Sequence, residues 1–125
     1  MQPNNFNFKT QMENNLISMI ELQLRNFTND LRPIDEDIRK ELDFGFSWDG
    51  QTALLFEIRS KWNSPDDILH VHFAKLKYSK LRKSWKLYWK RASGKWELYG
   101  SRSESKNPNE LLDEIIRDPY GCFFS

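Results

Sequence analysis

At 125 residues, with 38% hydrophobic, 14% aromatic and 30% charged side chains, the chain has the make-up of one domain that buries its own core and not that of a disordered segment. Its single cysteine, Cys122, excludes an intramolecular disulfide, and its longest apolar run is only Ala53-Leu54-Leu55-Phe56, far short of the roughly 20 residues of a membrane-spanning helix. The net charge of +1 excludes a uniformly polycationic protein, yet Lys75 to Lys95 holds nine of the nineteen Lys and Arg residues and no Asp or Glu, which concentrates a local positive field.

No basic-then-apolar leader with a small-residue cleavage site is present, so the expectation is one cytoplasmic domain over 1–125. Gln2 to Asn7 reads as a polar, frayed start. Thr10-Gln11-Met12-Glu13 has the capping-box form, and Met12, Leu16, Ile17, Ile20, Leu24 and Phe27 recur at helical spacing. This predicts an amphipathic helix over about 11–27. Asn29-Asp30 and Arg32-Pro33 break it, and alternation at Leu42, Phe44, Phe46 and Trp48 predicts a strand.

Asp49-Gly50 signals a hairpin. A two-residue turn there scatters the apolar side chains. A three-residue loop, Trp48-Asp49-Gly50, pairs Phe46 with Thr52, Phe44 with Leu54 and Leu42 with Phe56, and is preferred on that pattern. The second strand continues through Ile58 towards Lys61, and Asn63 to Asp67 reads as a loop. Three further strands follow, carrying Ala74, Leu76 and Tyr78, then Trp85, Leu87 and Trp89, then Trp96 and Leu98 on one face. Four-residue turns at Lys80 to Lys83 and Arg91 to Gly94 set Leu76 opposite Leu87, Leu87 opposite Leu98 and Trp89 opposite Trp96.

Asn107-Pro108-Asn109-Glu110 supplies an N-cap, a proline at the first helical position and a glutamate at the third. A short helix over about 109–118 follows, with Leu111, Leu112, Ile115 and Ile116 as its stripe and Asp118-Pro119 as its stop. The fold class is therefore α+β: an antiparallel sheet of about five strands over about 40–101, with an N-terminal and a C-terminal helix on one face.

The same registers place Phe73, Lys75, Lys77, Lys86, Tyr88, Lys90, Lys95 and Tyr99 together on the opposite face, with Glu97 among them. Cations beside rings suit single-stranded nucleic acid, whose phosphates the lysines attract and whose bases stack on aromatic groups. The same mixture suits a protein partner or a homodimer, with the acidic Asp35 to Asp43 stretch as the complement. It also occurs on ordinary wet strands, which use Tyr and Lys for propensity and to protect edges.

Other chemistry is poorly supported. His70 and His72 share one side of a strand, but two histidines fall short of the three or four ligands that zinc takes, even if Asp118 or Cys122 is brought close. Cys122 lies in the apolar run Cys122-Phe123-Phe124 and reads as an inert thiol. Asp35, Glu36 and Asp37, like Asp66 and Asp67, read as solvated acidic turns. No phosphate loop, nucleophile elbow or paired-histidine zinc motif occurs. The expectation is a non-enzymatic protein with no cofactor and no metal.

Ala74-Lys75-Leu76-Lys77-Tyr78, Trp85-Lys86-Leu87-Tyr88-Trp89, Lys95-Trp96 with Tyr99, and the closing Asp118-Pro119-Tyr120-Gly121-Cys122-Phe123-Phe124 together resemble an uncharacterised bacterial domain-of-unknown-function family, the one numbered three-zero-two-four. The resemblance runs from the first hairpin to the C-terminus. It departs at Glu97, where the family often has histidine, and at Ser125, where it has glycine. It implies a small bacterial protein and brings no catalytic residue with it.

Overall fold

The structure, a computed structural model, describes residues 8–100 and 102–124, with side chains from Met19 onward. The first helix, α1, spans Phe8–Leu31. It is helical at Thr10, so the expected cap lies inside it, and Met12, Leu16 and Ile17 carry side chains outside the described residues. Ile20, Leu24 and Phe27 enter the core as their spacing requires. Asn29-Asp30 does not end the helix. Arg32 N–H still donates to the Thr28 carbonyl, and the chain leaves the helix only where Pro33 disfavours helical backbone in the residue before it. A single turn, α2 (Glu36–Arg39), follows, capped by the Asp35 carboxylate accepting from Asp37 N–H at 2.8 Å.

The sheet comprises β1 (Leu42–Trp48), β2 (Thr52–Lys61), β3 (Ser64–Ser79), β4 (Ser84–Lys90), β5 (Trp96–Leu98) and β6 (Glu104–Ser105). All neighbours are antiparallel, in the order β1-β2-β3-β4-β5, with β6 on the same border of β4 as β5. The last helix, α3, spans Pro108–Arg117, with Asn107 as N-cap and Asp118 closing it in the left-handed region at φ 41°. Leu111, Leu112 and Ile115 of its stripe are buried, whereas Ile116 is exposed. Asp118 then accepts from the N–H groups of Phe123 and Phe124. That bend returns Phe123 to the core and lays Phe124 against Phe73.

The Ser79-to-Ser84 turn has its expected length, and Leu76 faces Leu87. The other connections differ. In the first hairpin Trp48 pairs with Ala53, Phe46 with Leu55 and Phe44 with Glu57. The turn is centred on Gly50-Gln51, because the Asp49 carboxylate accepts from Gln51 N–H and Thr52 N–H at 2.9 and 2.6 Å, with Gly50 at φ +96°. Ala53 and Leu55, and not Leu54 and Phe56, therefore join the helix side. Between β2 and β3 the turn is Trp62-Asn63, so Ser64 to Asp67 belongs to the strand.

The last hairpin closes through Arg91 N–H on the Lys95 carbonyl and Gly94 N–H on the Arg91 carbonyl, with Gly94 at φ +88°. This makes Ala92-Ser93-Gly94 a three-residue loop whose third position needs left-handed backbone. Trp89 consequently faces Glu97, and Tyr88 faces Leu98. Trp96 and Leu98 leave the core face where they were expected, and Tyr99 enters it.

Helix residues Ile20, Leu24, Phe27, Leu111, Leu112 and Ile115 form one cluster with Ala53, Leu55, Ala74, Leu76, Trp85 and Leu87 of the sheet. Both long helices thus pack on one side, as expected. Trp85 is the largest residue there, meeting Trp48 and Tyr78 with ring centroids 5.5 and 4.8 Å away. None of the described helices is long and apolar enough to cross a membrane.

Candidate functional site

Side chains alternate along a strand, so the residues omitted from the helix side make up the other. Cross-strand pairing lines up Leu54, Lys75, Tyr88 and Leu98 in one row, and Thr52, Lys77, Lys86 and Glu104 in the next. Lys90 pairs with Trp96, and Phe56 with His72. Five expected face residues, Lys75, Lys77, Lys86, Tyr88 and Lys90, are therefore brought together on the side opposite the helices.

Three others are placed elsewhere. Leu55 pairs with Ala74 but Phe56 with His72, so Phe73 is the extra residue of a β-bulge and turns into the core, only 6% exposed. Tyr99 is 2% exposed beneath α3, with its hydroxyl donating to Glu114 Oε2 at 2.7 Å. Burial first, then that hydrogen bond and the Glu114 charge, raise its pKa far above the ordinary tyrosine value. Lys95 pairs with Arg91 at the exposed loop, on the Glu97 side. Glu97 there meets Arg91 at 3.5 Å and is not on the basic face.

In exchange the face gains Trp96 and Leu98, which the expected four-residue loop assigned to the core, and Leu54 and Phe56, which the expected three-residue loop of the first hairpin assigned there. The available signal was Gly94, the residue that tolerates the left-handed close of a three-residue loop. Trp96 changes the character of the site. Lys75 Nζ lies 4.7 Å from the Tyr88 ring centroid and 5.0 Å from that of Trp96, and Lys90 Nζ lies 5.6 Å from Trp96. Two ammonium groups thus share one indole.

Beside them Phe56 is nearly buried, stacked on His70 at 4.5 Å and against the edge of His72 at 5.3 Å. Its ring covers Gly45 on β1, where an added Cβ would stand 2.9 Å from Phe56 Cε2. The glycine makes room for the ring.

Local electrostatics are positive. Partial burial and then Lys77 lower the Lys75 pKa, and partial burial, then Lys90 and His70 lower that of His72. Carboxylates stand at the borders of the face and are engaged. Glu104 accepts from Arg82 Nε and Nη2, each at 2.8 Å, and from Ser84 Oγ. Asp43 accepts from Arg32 Nε at 2.7 Å and Nη2 at 2.9 Å. Although burial opposes it, those bonds hold Asp43 below its usual range. The acidic stretch before it is also paired, Asp37 with Lys40 and Glu36 with Arg39.

His70 and His72 lie on the face opposite the C-terminal segment, whose Asp118 is occupied by two backbone N–H groups and whose Phe124 sits on Phe73. Among the described residues no three His, Cys, Asp or Glu side chains gather as metal ligands. Cys122 is half-buried, and burial first, then the charges of Asp118 and Glu97, push its thiol pKa up. Such a thiol is a poor nucleophile.

Residues 12–125 match the model of a family described as a domain of unknown function, DUF3024, and the chain belongs to that family. No curated protein and no solved structure matches it.

Proposed function

We propose that this DUF3024 member is a non-enzymatic binding module that takes single-stranded nucleic acid on the sheet face opposite its helices. The observation that carries the reading is the Lys75–Tyr88–Trp96–Lys90 cluster, in which two ammonium groups lie over exposed-side rings. Lys77 and Lys86 extend the positive charge along the next row.

The energies fit an exchange. A half-exposed cation–π contact contributes about 0.5–1 kcal/mol, whereas stacking a base on an aromatic side chain contributes about 1–3 kcal/mol. A base can therefore displace a lysine from Trp96 while that lysine swings to a phosphate. Nothing on the face reads base edges in a fixed pattern, so binding is governed by charge and stacking more than by sequence.

The test is fluorescence anisotropy of labelled, mixed-sequence single-stranded RNA and DNA across a salt series. Each phosphate neutralised on a single strand contributes about 0.7 to the salt slope, so the four lysines predict a slope of magnitude about 3. Lys86→Glu/Lys90→Glu should flatten that slope, and Trp96→Ala should weaken binding roughly 5- to 150-fold, the equivalent of one stacked base. Absence of binding at low salt would overturn the reading and leave the face to a protein partner.

A further inference from the structure

We infer that the protein pairs with a second copy of itself along the free edge of β3, joining two sheets into one. β3 is 16 residues long, but β4 pairs only with Ala74 to Ser79. From Ser64 to Phe73 the edge away from β2 has no strand partner among the described residues. At about 3.3 Å per residue this is about 30 Å of open backbone hydrogen-bonding groups.

Proteins usually blunt such an edge with lysines, prolines or a covering helix. Here Pro65 stands at its start, no lysine lies between Ser64 and Phe73, and Ile68, Leu69 and Val71 are 62%, 42% and 42% exposed. The other border of the sheet differs, since α1 and α2 lie against β1 and its apolar side chains are partly buried.

Symmetry and edge length leave two registers, and each of them pairs a carboxylate with an imidazole. Two antiparallel copies are related by a two-fold axis perpendicular to the sheet, so directly opposed residues point to the same side. Because side chains alternate, the opposed residues must be separated by an even number, and the axis must pass midway between one residue and its own copy, at the level of that residue. The free edge ends at the Trp62-Asn63 turn and at Ala74, so its midpoint falls between Ile68 and Leu69.

An axis at the level of Ile68 opposes Asp66 to the second copy's His70, and an axis at the level of Leu69 opposes Asp66 to the second copy's His72. In either register a carboxylate meets an imidazole on both sides of the axis, and Ile68 or Leu69 meets its own copy at the centre. Such pairs are the units that stabilise a sheet. The same axis sets the two Trp96-centred faces on one side of the joined sheet.

The experiment uses the full chain without nucleic acid, so its outcome is independent of the binding proposal. Sedimentation across a concentration series reads the association state. In a Cys122→Ser background, Ile68→Cys and Leu69→Cys are oxidised separately, with Lys80→Cys in the β3–β4 turn as control. Opposed residues of an antiparallel pair have Cα atoms about 4.5–5.5 Å apart, within disulfide reach. One of the two variants should form a covalent dimer far faster than the control, and Asp66→Lys should weaken the reversible dimer roughly tenfold. Asp66, Ile68, Leu69 and Lys80 are exposed, and the half-buried Cys122→Ser change is common to the two cysteine variants and their control, so the comparison does not turn on folding. A chain that stays monomeric, or a dimer in which neither cysteine cross-links faster than Lys80→Cys, overturns the inference.

Discussion

Alternate residues of the same strands face two different environments in this protein. On the helix side Ala53, Leu55, Ala74, Leu76 and Leu87 have no exposed surface, and their contribution is the removal of apolar area from water. On the other side Lys75, Tyr88, Lys90 and Trp96 remain partly exposed and hold one another through cation–π contacts. Core burial and the exposed cation–aromatic cluster are thus separated by the alternation of side chains along each strand. A strand slipped by one residue would lose both together, because each face would receive the other's side chains.

The sharpest way to break this comparison is to truncate the same residue type on each side. Leu87→Ala should cost about 2–5 kcal/mol of unfolding free energy, since it removes a buried side chain from the centre of the sheet. Leu98→Ala, at a position 43% exposed, should cost under about 1 kcal/mol. Urea denaturation of both variants measures the difference, and equal losses would mean that the two sides are not separated as described.

The tyrosines give the second contrast. Tyr99→Phe leaves Glu114 without its buried hydroxyl donor and should cost roughly 1–2 kcal/mol, whereas Tyr88→Phe should fall within about 0.5 kcal/mol. A Tyr88→Phe loss as large as that of Tyr99→Phe would place the hydroxyl of Tyr88 in a structural role. The loop that sorts these residues can be tested directly. Gly94→Ala forces a Cβ into left-handed backbone and should cost about 1–2 kcal/mol. It meets no neighbouring atom, so the loss would report the conformation alone.

These variants also mark where the sequence was readable. Helix periodicity, the Asn107-Pro108 start of α3 and the Leu76–Leu87 register follow from local chemistry, and the structure has them. The errors concentrate where hydrophobic alternation is ambiguous. Ala53-Leu54-Leu55-Phe56 is apolar in both parities, so only the Asp49 side chain's grip on two N–H groups decides which residues turn inward. In Trp96-Glu97-Leu98-Tyr99 the apolar count favours Trp96 and Leu98 for the core. The fold instead buries Tyr99, because α3 supplies Glu114 to its hydroxyl and Gly94 allows the shorter loop. Phe73 was unreadable for another reason: a bulge adds a residue without a local marker, and everything before it changes phase. Lys75, Lys77, Lys86 and Lys90 share one face because they sit on β3 and β4, which are joined by a turn of the expected four-residue length.

The smallest effect is a pH dependence, and it connects the two faces. Partial burial, then Lys90 and His70, depress the pKa of His72 below its ordinary 6.5. The unfolded chain therefore takes up this proton at a higher pH than the folded chain does. Stability supplied by the neutral imidazole is complete above about 6.5 and declines as pH falls towards the lowered folded value. His72→Gln should remove that part of the decline, which a series of urea midpoints between pH 7 and pH 5 would detect. A bound polyanion would neutralise Lys90 and hydrogen-bond the imidazolium, and both changes favour the charged form. The same histidine should then titrate at higher pH in the presence of single-stranded RNA, as followed by its ring-proton NMR shifts. An unchanged titration at saturating RNA would place the ligand away from the Lys90–Trp96 row and break the link between this charge cluster and binding.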